Sequence, residues 1–192
     1  MPDRHLGMIS RREVDRSAHD RLGVAMEAAG MAHVRRSTAR WRSEDRAIFA
    51  WVVHDSKALD PAQGGALTLE FEHSHDGSWM KKLAGRARFG ALLRPDEFEP
   101  FVVMQNRVIA TLRRPTSEEL SFVPESLRPR YLTYFDQVAS IRQPEFWIRY
   151  TTLEHLTEWW TLVAPLLPKV LARARTLDCH HLYLGRELAW DQ

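Results

Sequence analysis

The chain has one cysteine, Cys179, which rules out an intramolecular disulfide and any metal site built on a Cys-x-x-Cys pair. Lysine is scarce as well. It stands only at Lys57, Lys81, Lys82 and Lys169, so nearly all positive charge is arginine. Guanidinium groups suit planar recognition of carboxylate or phosphate. The arginines are spread along the whole chain, however, as a GC-rich bacterial genome would place them. No uninterrupted apolar stretch approaches the ~20 residues of a membrane span, and the charged N-terminus lacks the apolar core of a secretory signal. A cytoplasmic location is the expectation. The phosphate-cradling GxxxxGK[ST], the dinucleotide GxGxxG, HExxH and GxSxG are all missing, which removes the commonest signatures of nucleotide, zinc-protease and hydrolase sites.

What is present describes a folded domain. The 192 residues suit one α+β unit over 1–192, with 1–9 expected as a flexible tail. A hydrophobic content of 44% supplies a core, and the net charge of +2 sets up no global field toward nucleic acid or membrane. Ser10 and Glu13 form a capping box that opens a helix over 10–29, with Gly30 as its stop. A hairpin follows, with arms 36–42 and 47–54 around the turn at 43–46. Residues 66–73 alternate as a strand, with Leu67, Leu69 and Phe71 on one side and Thr68, Glu70 and Glu72 on the other. Residues 78–93 fit a short helix or a strand. Pro100 is placed to start a helix running to Arg114, and 146–150 reads as a short strand. A last long helix begins at a second capping box, Thr151 with Glu154, and Pro165 and Pro168 should kink or split it. The fold class expected is α+β: an antiparallel sheet of three to five strands packed by N-terminal and C-terminal helices.

Three constellations could carry chemistry. Glu70 and Glu72, two apart on one strand, project from one face; with Asp60 across a loop they could hold a magnesium-type ion and activate water for phosphodiester hydrolysis. The simpler expectation is a solvated outer face, where alternating glutamates are ordinary. His73 and His75 flank Ser74 and could ligate a transition metal with Glu72 and Asp76, but no third strong ligand lies at short spacing. Cys179 beside His180-His181 is expected to be structural, because neighbours along a strand point to opposite faces. Arg36, Arg40 and Arg42 surround Trp41 on the first hairpin and could stack a base and clamp a nucleic-acid phosphate backbone, or bind an acidic partner, although the net charge does not favour nucleic acid. Trp159-Trp160 are ~100° apart on a helix; Trp160 falls on the apolar stripe, which leaves Trp159 at the edge as a candidate contact for a partner protein.

Two resemblances attach to these residues. The order helix, hairpin, acidic strand, helix resembles restriction-type nuclease cores. Here, though, the aspartate precedes the proline (Asp60-Pro61) and Glu72 stands where that family carries lysine. The helix ending at Gly30-Met31, the arginine-rich strand with Trp41, the strand Ile48 to Val53 closing on His54-Asp55-Ser56, and Arg86 to Leu92 together resemble the bacterial domain-of-unknown-function family DUF4304. That resemblance spans about the first half of the chain. It implies the order of elements and brings no catalytic residues. The function expected is a non-enzymatic accessory protein, regulatory or immunity-type, with no cofactor, no membrane contact and another protein as partner. The alternative is a magnesium- or manganese-dependent phosphodiesterase or nuclease using Asp60, Glu70 and Glu72.

Overall fold

The structure, a computed structural model, describes residues 9–34, 39–54, 64–77, 83–132 and 146–177. Helix α1 (Arg11–Ala28) starts at the capping box read from the sequence: the Ser10 hydroxyl accepts from the Glu13 amide, and the Glu13 carboxylate accepts from the Ser10 amide at 2.8 Å. Gly30, at φ +79, turns the chain into a strand that the alternation had not revealed, β1 (Met31–His33). Then come β2 (Arg40–Ser43), β3 (Ile48–His54), β4 (Gly65–Ser74) and β5 (Leu83–Arg88). The ambiguous middle segment thus contains a strand. All neighbours are antiparallel, in the order β1-β2-β3-β4-β5. The β2–β3 turn is held by Asp45, whose carboxylate accepts from the Ser43 hydroxyl and from the Ala47 amide at 3.1 Å.

Helix α2 (Pro95–Ala110) begins five residues before the expected start. Pro95 takes the first position, where its missing N–H costs nothing. The Arg94 amide is satisfied by the Glu97 carboxylate at 2.9 Å, and Pro100 sits inside the helix. Short helices α3 (Ser117–Ser121) and α4 (Arg128–Leu132) follow, separated by a 3-10 turn at Glu125–Leu127. Strand β6 (Ile148–Tyr150) then joins the sheet beside β4, end to end with β5. The sheet therefore holds six strands among the described residues, in an α+β fold as the sequence implied. Gln105 of α2 caps the outer edge of β6: its amide nitrogen donates to the Trp147 carbonyl at 2.7 Å, and its oxygen accepts from the Arg149 amide at 3.0 Å. A side chain thereby replaces the next strand.

The last helical segment splits where its prolines stand: α5 (Leu153–Val163), a 3-10 turn at Ala164–Leu166, and α6 (Leu167–Ala174). Its cap is Thr152, whose hydroxyl accepts from the His155 amide, and the Thr151 hydroxyl bonds His155 Nδ1 instead at 2.9 Å. One face of the sheet carries Trp41, Ile48, Ala50, Val52, Leu67, Leu69 and Phe71, which meet Leu22 and Met26 of α1, Leu156 and Trp160 of α5, and Val170 and Ala174 of α6 in the core. Asp15 on α1 ties to His54 at the end of β3 at 2.8 Å. Among the described residues, no helix is long and apolar enough to cross a membrane.

Candidate functional site

The face of the sheet turned away from that core is where the sequence candidates converge. Register places Arg40, Trp51, Glu70 and Arg88 in one row across β2, β3, β4 and β5, and Arg42, Phe49, Glu72 and Arg86 in the next. Each row runs arginine, aromatic, glutamate, arginine. Arg149 of β6, paired with Ala66, extends the β5 column along the same edge, and Trp147 just before β6 lies against Arg88. The arginine hairpin and the acidic strand, which look separate in the sequence, are thus a single surface.

This surface is not the solvated face expected. Glu70 is 2% exposed and Glu72 is fully buried, with Trp51, Phe49, Thr68 and Ser74 buried around them. The alternation assigned the two glutamates to one side correctly. It carried no information about what neutralises Glu70. Arg86 hydrogen-bonds Glu70, and Arg88 adds a second positive charge with Nε 3.6 Å from Glu70 Oε1. The guanidinium of Arg86 lies over the Trp51 ring at 4.6 Å, and that of Arg88 over the Trp147 ring at 4.8 Å. Buried carboxylates require such partners, since an uncompensated buried charge costs several kcal/mol, on the order of 3–5.

Two partner residues read from the sequence need correction. Trp41 is 1% exposed and packs in the core, edge-on to His33 at 6.3 Å, so it presents no ring to a partner. Trp159 is also fully buried. Its Nε1 donates to the Arg149 carbonyl at 2.7 Å, and its ring stacks on Phe101 at 5.9 Å. The ~100° argument fails here because α5 is flanked on two sides. Trp160 points toward α1, where its Nε1 reaches the Ser17 hydroxyl at 3.1 Å, while Trp159 points toward α2 and β6. Both positions are therefore interior.

Arg40 and Arg42 are half-buried on β2. Arg36, Asp55 and Asp60 lie outside the described residues, as do Cys179, His180 and His181. His73 faces the core side and donates through Nδ1 to the Leu177 carbonyl at 2.8 Å; the carbonyl fixes that nitrogen as the protonated one. The His73 and His75 ring centroids are 5.9 Å apart. Among the described residues, no group of three or more His, Cys, Asp or Glu could hold a metal ion.

A second region had not stood out. From Ser117 to Leu127 the chain has three glutamates, Glu118, Glu119 and Glu125, and no lysine or arginine. Neither α3 nor the following 3-10 turn contains a buried residue. Phe122 is 81% exposed and Leu127 51%. The knob is nevertheless well fastened. Thr116 and Glu119 form a capping box, Arg113 grips the Glu119 carboxylate, and Arg128 Nε donates to the Val123 carbonyl at 3.0 Å. The Arg113 guanidinium, followed by the Thr116 amide, holds Glu119 down at about 2. The available signal was a charge run of one sign around an aromatic that no helical stripe could absorb.

No family model, curated protein or solved structure matches the chain.

Proposed function

We propose that this chain is a non-catalytic binding protein, acting as an accessory or regulatory component of the bacterial cytoplasm. It engages a partner protein that offers an apolar socket with a basic rim. The observation that carries the reading is Phe122, 81% exposed at the tip of a braced segment flanked by three glutamates. A large exposed aromatic on a rigid support loses little conformational freedom on binding, which is how interface anchors gain affinity. The negative charge of Glu118 and Glu125 would favour a positively charged rim and speed encounter.

Less supports a phosphodiesterase. Glu70, one of the carboxylates that would hold the cation, faces two guanidinium groups, whose charge opposes a divalent ion in the same place.

The test is capture of partners by the full chain, followed by affinity measurement with each protein recovered. Phe122→Ala should weaken a genuine partner by tenfold or more, about 1.4 kcal/mol. Glu118→Lys with Glu125→Lys should weaken it in a salt-dependent way. Partners that bind the Phe122→Ala chain as tightly as the parent would remove the basis for this surface.

A further inference from the structure

Two histidines at the end of β4 belong neither to the Phe122 surface nor to the charged face of the sheet. His73 is half-buried and His75 is exposed, with a bulge in the β4–β5 pairing between His73 and Ser74. The His73 Nδ1–H donates to the Leu177 carbonyl at 2.8 Å, so its Nε2 carries the lone pair. Metal-ligating histidines are held in this way. The ring nitrogen that does not bind the ion gives its proton to a backbone carbonyl or carboxylate, which fixes the tautomer and the ring plane.

The spacing of the two rings suits a shared ion. A zinc–nitrogen bond of about 2.0–2.1 Å places the ion about 3.2 Å from the centre of an imidazole ring. Two rings on one ion therefore stand about 5.2 Å apart at a tetrahedral angle, and at most about 6.4 Å apart. The His73 and His75 centroids are 5.9 Å apart, inside that span, and the exposed His75 ring can turn to close the difference. The other close pair, His19 and His33 at 4.5 Å, differs in access: the Nε2 of His33 is buried, which closes that nitrogen to an ion.

We infer that His73 and His75 form a two-imidazole site for a divalent transition ion of the zinc class at the end of β4. Imidazole nitrogens suit zinc, copper and nickel, whereas magnesium and manganese prefer oxygen ligands. With two protein ligands among the described residues, water fills the remaining positions, so the site is open. The Leu177 carbonyl, just past α6, orients His73 from the far side of the ring. The ion therefore seats where β4 meets the chain leaving α6, and its binding is linked to that packing. This site is separate from the Phe122 knob and stands or falls independently of it.

The experiment follows the histidine ring nitrogens of the full, isotopically labelled chain by NMR at neutral pH, as zinc chloride and then magnesium chloride are titrated. Zinc should move the Nε2 resonances of His73 and His75 together and saturably, and magnesium should leave both in place. The thermal midpoint of the parent should rise with zinc, since an ion that binds only the folded chain stabilises it. His73→Ala also removes the bond to Leu177 and so tests packing as well as binding. The cleaner variant is His75→Ala, which alters an exposed side chain, should fold in either case, and should bind zinc at least tenfold more weakly. Cys179→Ser should bind zinc as the parent does. Ring nitrogens that do not respond, an equal response to magnesium, or a His75→Ala chain that binds zinc as tightly as the parent would overturn the assignment. So would zinc binding that is lost in Cys179→Ser and kept in His75→Ala, because the ion would then sit elsewhere.

Discussion

Glu97 shows how much of this fold is fixed by single charged side chains. It caps α2 through the Arg94 amide and is gripped by Arg173 of α6, with Lys169 at 3.5 Å. The Arg173 guanidinium, ahead of the other contacts, holds its carboxyl down at about 2 against an ordinary 4.5. A carboxyl with a lowered native pKa binds fewer protons folded than unfolded. Its stabilisation is therefore complete above about 4.5 and is lost as the pH falls toward 2. Glu97→Gln should lower stability at pH 7 by roughly 1–3 kcal/mol, with the difference from the parent closing as acid is added. Urea unfolding of both chains between pH 7 and pH 3 measures this; a constant difference across the range would contradict it. His33 acts in the same direction. Burial, then the neighbouring His19 at 4.5 Å between ring centroids, lowers its pKa below 6.5, so protonation on acidification disfavours the folded state.

Among the elements, the junction of β4 with β6 is the least tolerant. Gly64 stands at φ +68, and a Cβ there would come 2.5 Å from the Tyr150 carbonyl oxygen; at Gly65 a Cβ would strike the Tyr150 ring. The absence of two side chains lets Tyr150 close over the start of β4, where burial and the charge of Asp15 push its hydroxyl up to about 12. Gly64→Ala should cost about 2 kcal/mol or more, because backbone strain and a backbone clash add. A thermal midpoint unchanged from the parent would show that β6 does not pack as described. Elements of this kind were legible only in part. The capping box of α1 and the alternation of β4 are local patterns, and both appear where the residues put them. β1 is too short for alternation to reveal, and Pro100 drew the start of α2 downstream because a proline at Pro95 satisfies the same rule. Trp159 was misplaced for a non-local reason: one helix carries no sign of being enclosed on two sides.

For the molecule as a whole, the decisive fact is what the second face of the sheet does with its charge. The sequence shows two glutamates on one side of a strand, and separately arginines on a hairpin and at 86 and 88. Only strand register brings them into shared rows, and register is set by pairings across dozens of residues. The argument against a metal-dependent phosphodiesterase rests on Glu70 facing Arg86 and Arg88. Thermal unfolding of the parent and of Glu70→Gln, each titrated with manganese chloride against matched sodium chloride, tests that most directly. The account predicts that Glu70→Gln is less stable than the parent by about 3 kcal/mol, from loss of the carboxylate that Arg86 and Arg88 face, and that manganese stabilises neither chain. A saturable stabilisation of the parent by manganese that vanishes in Glu70→Gln would contradict it.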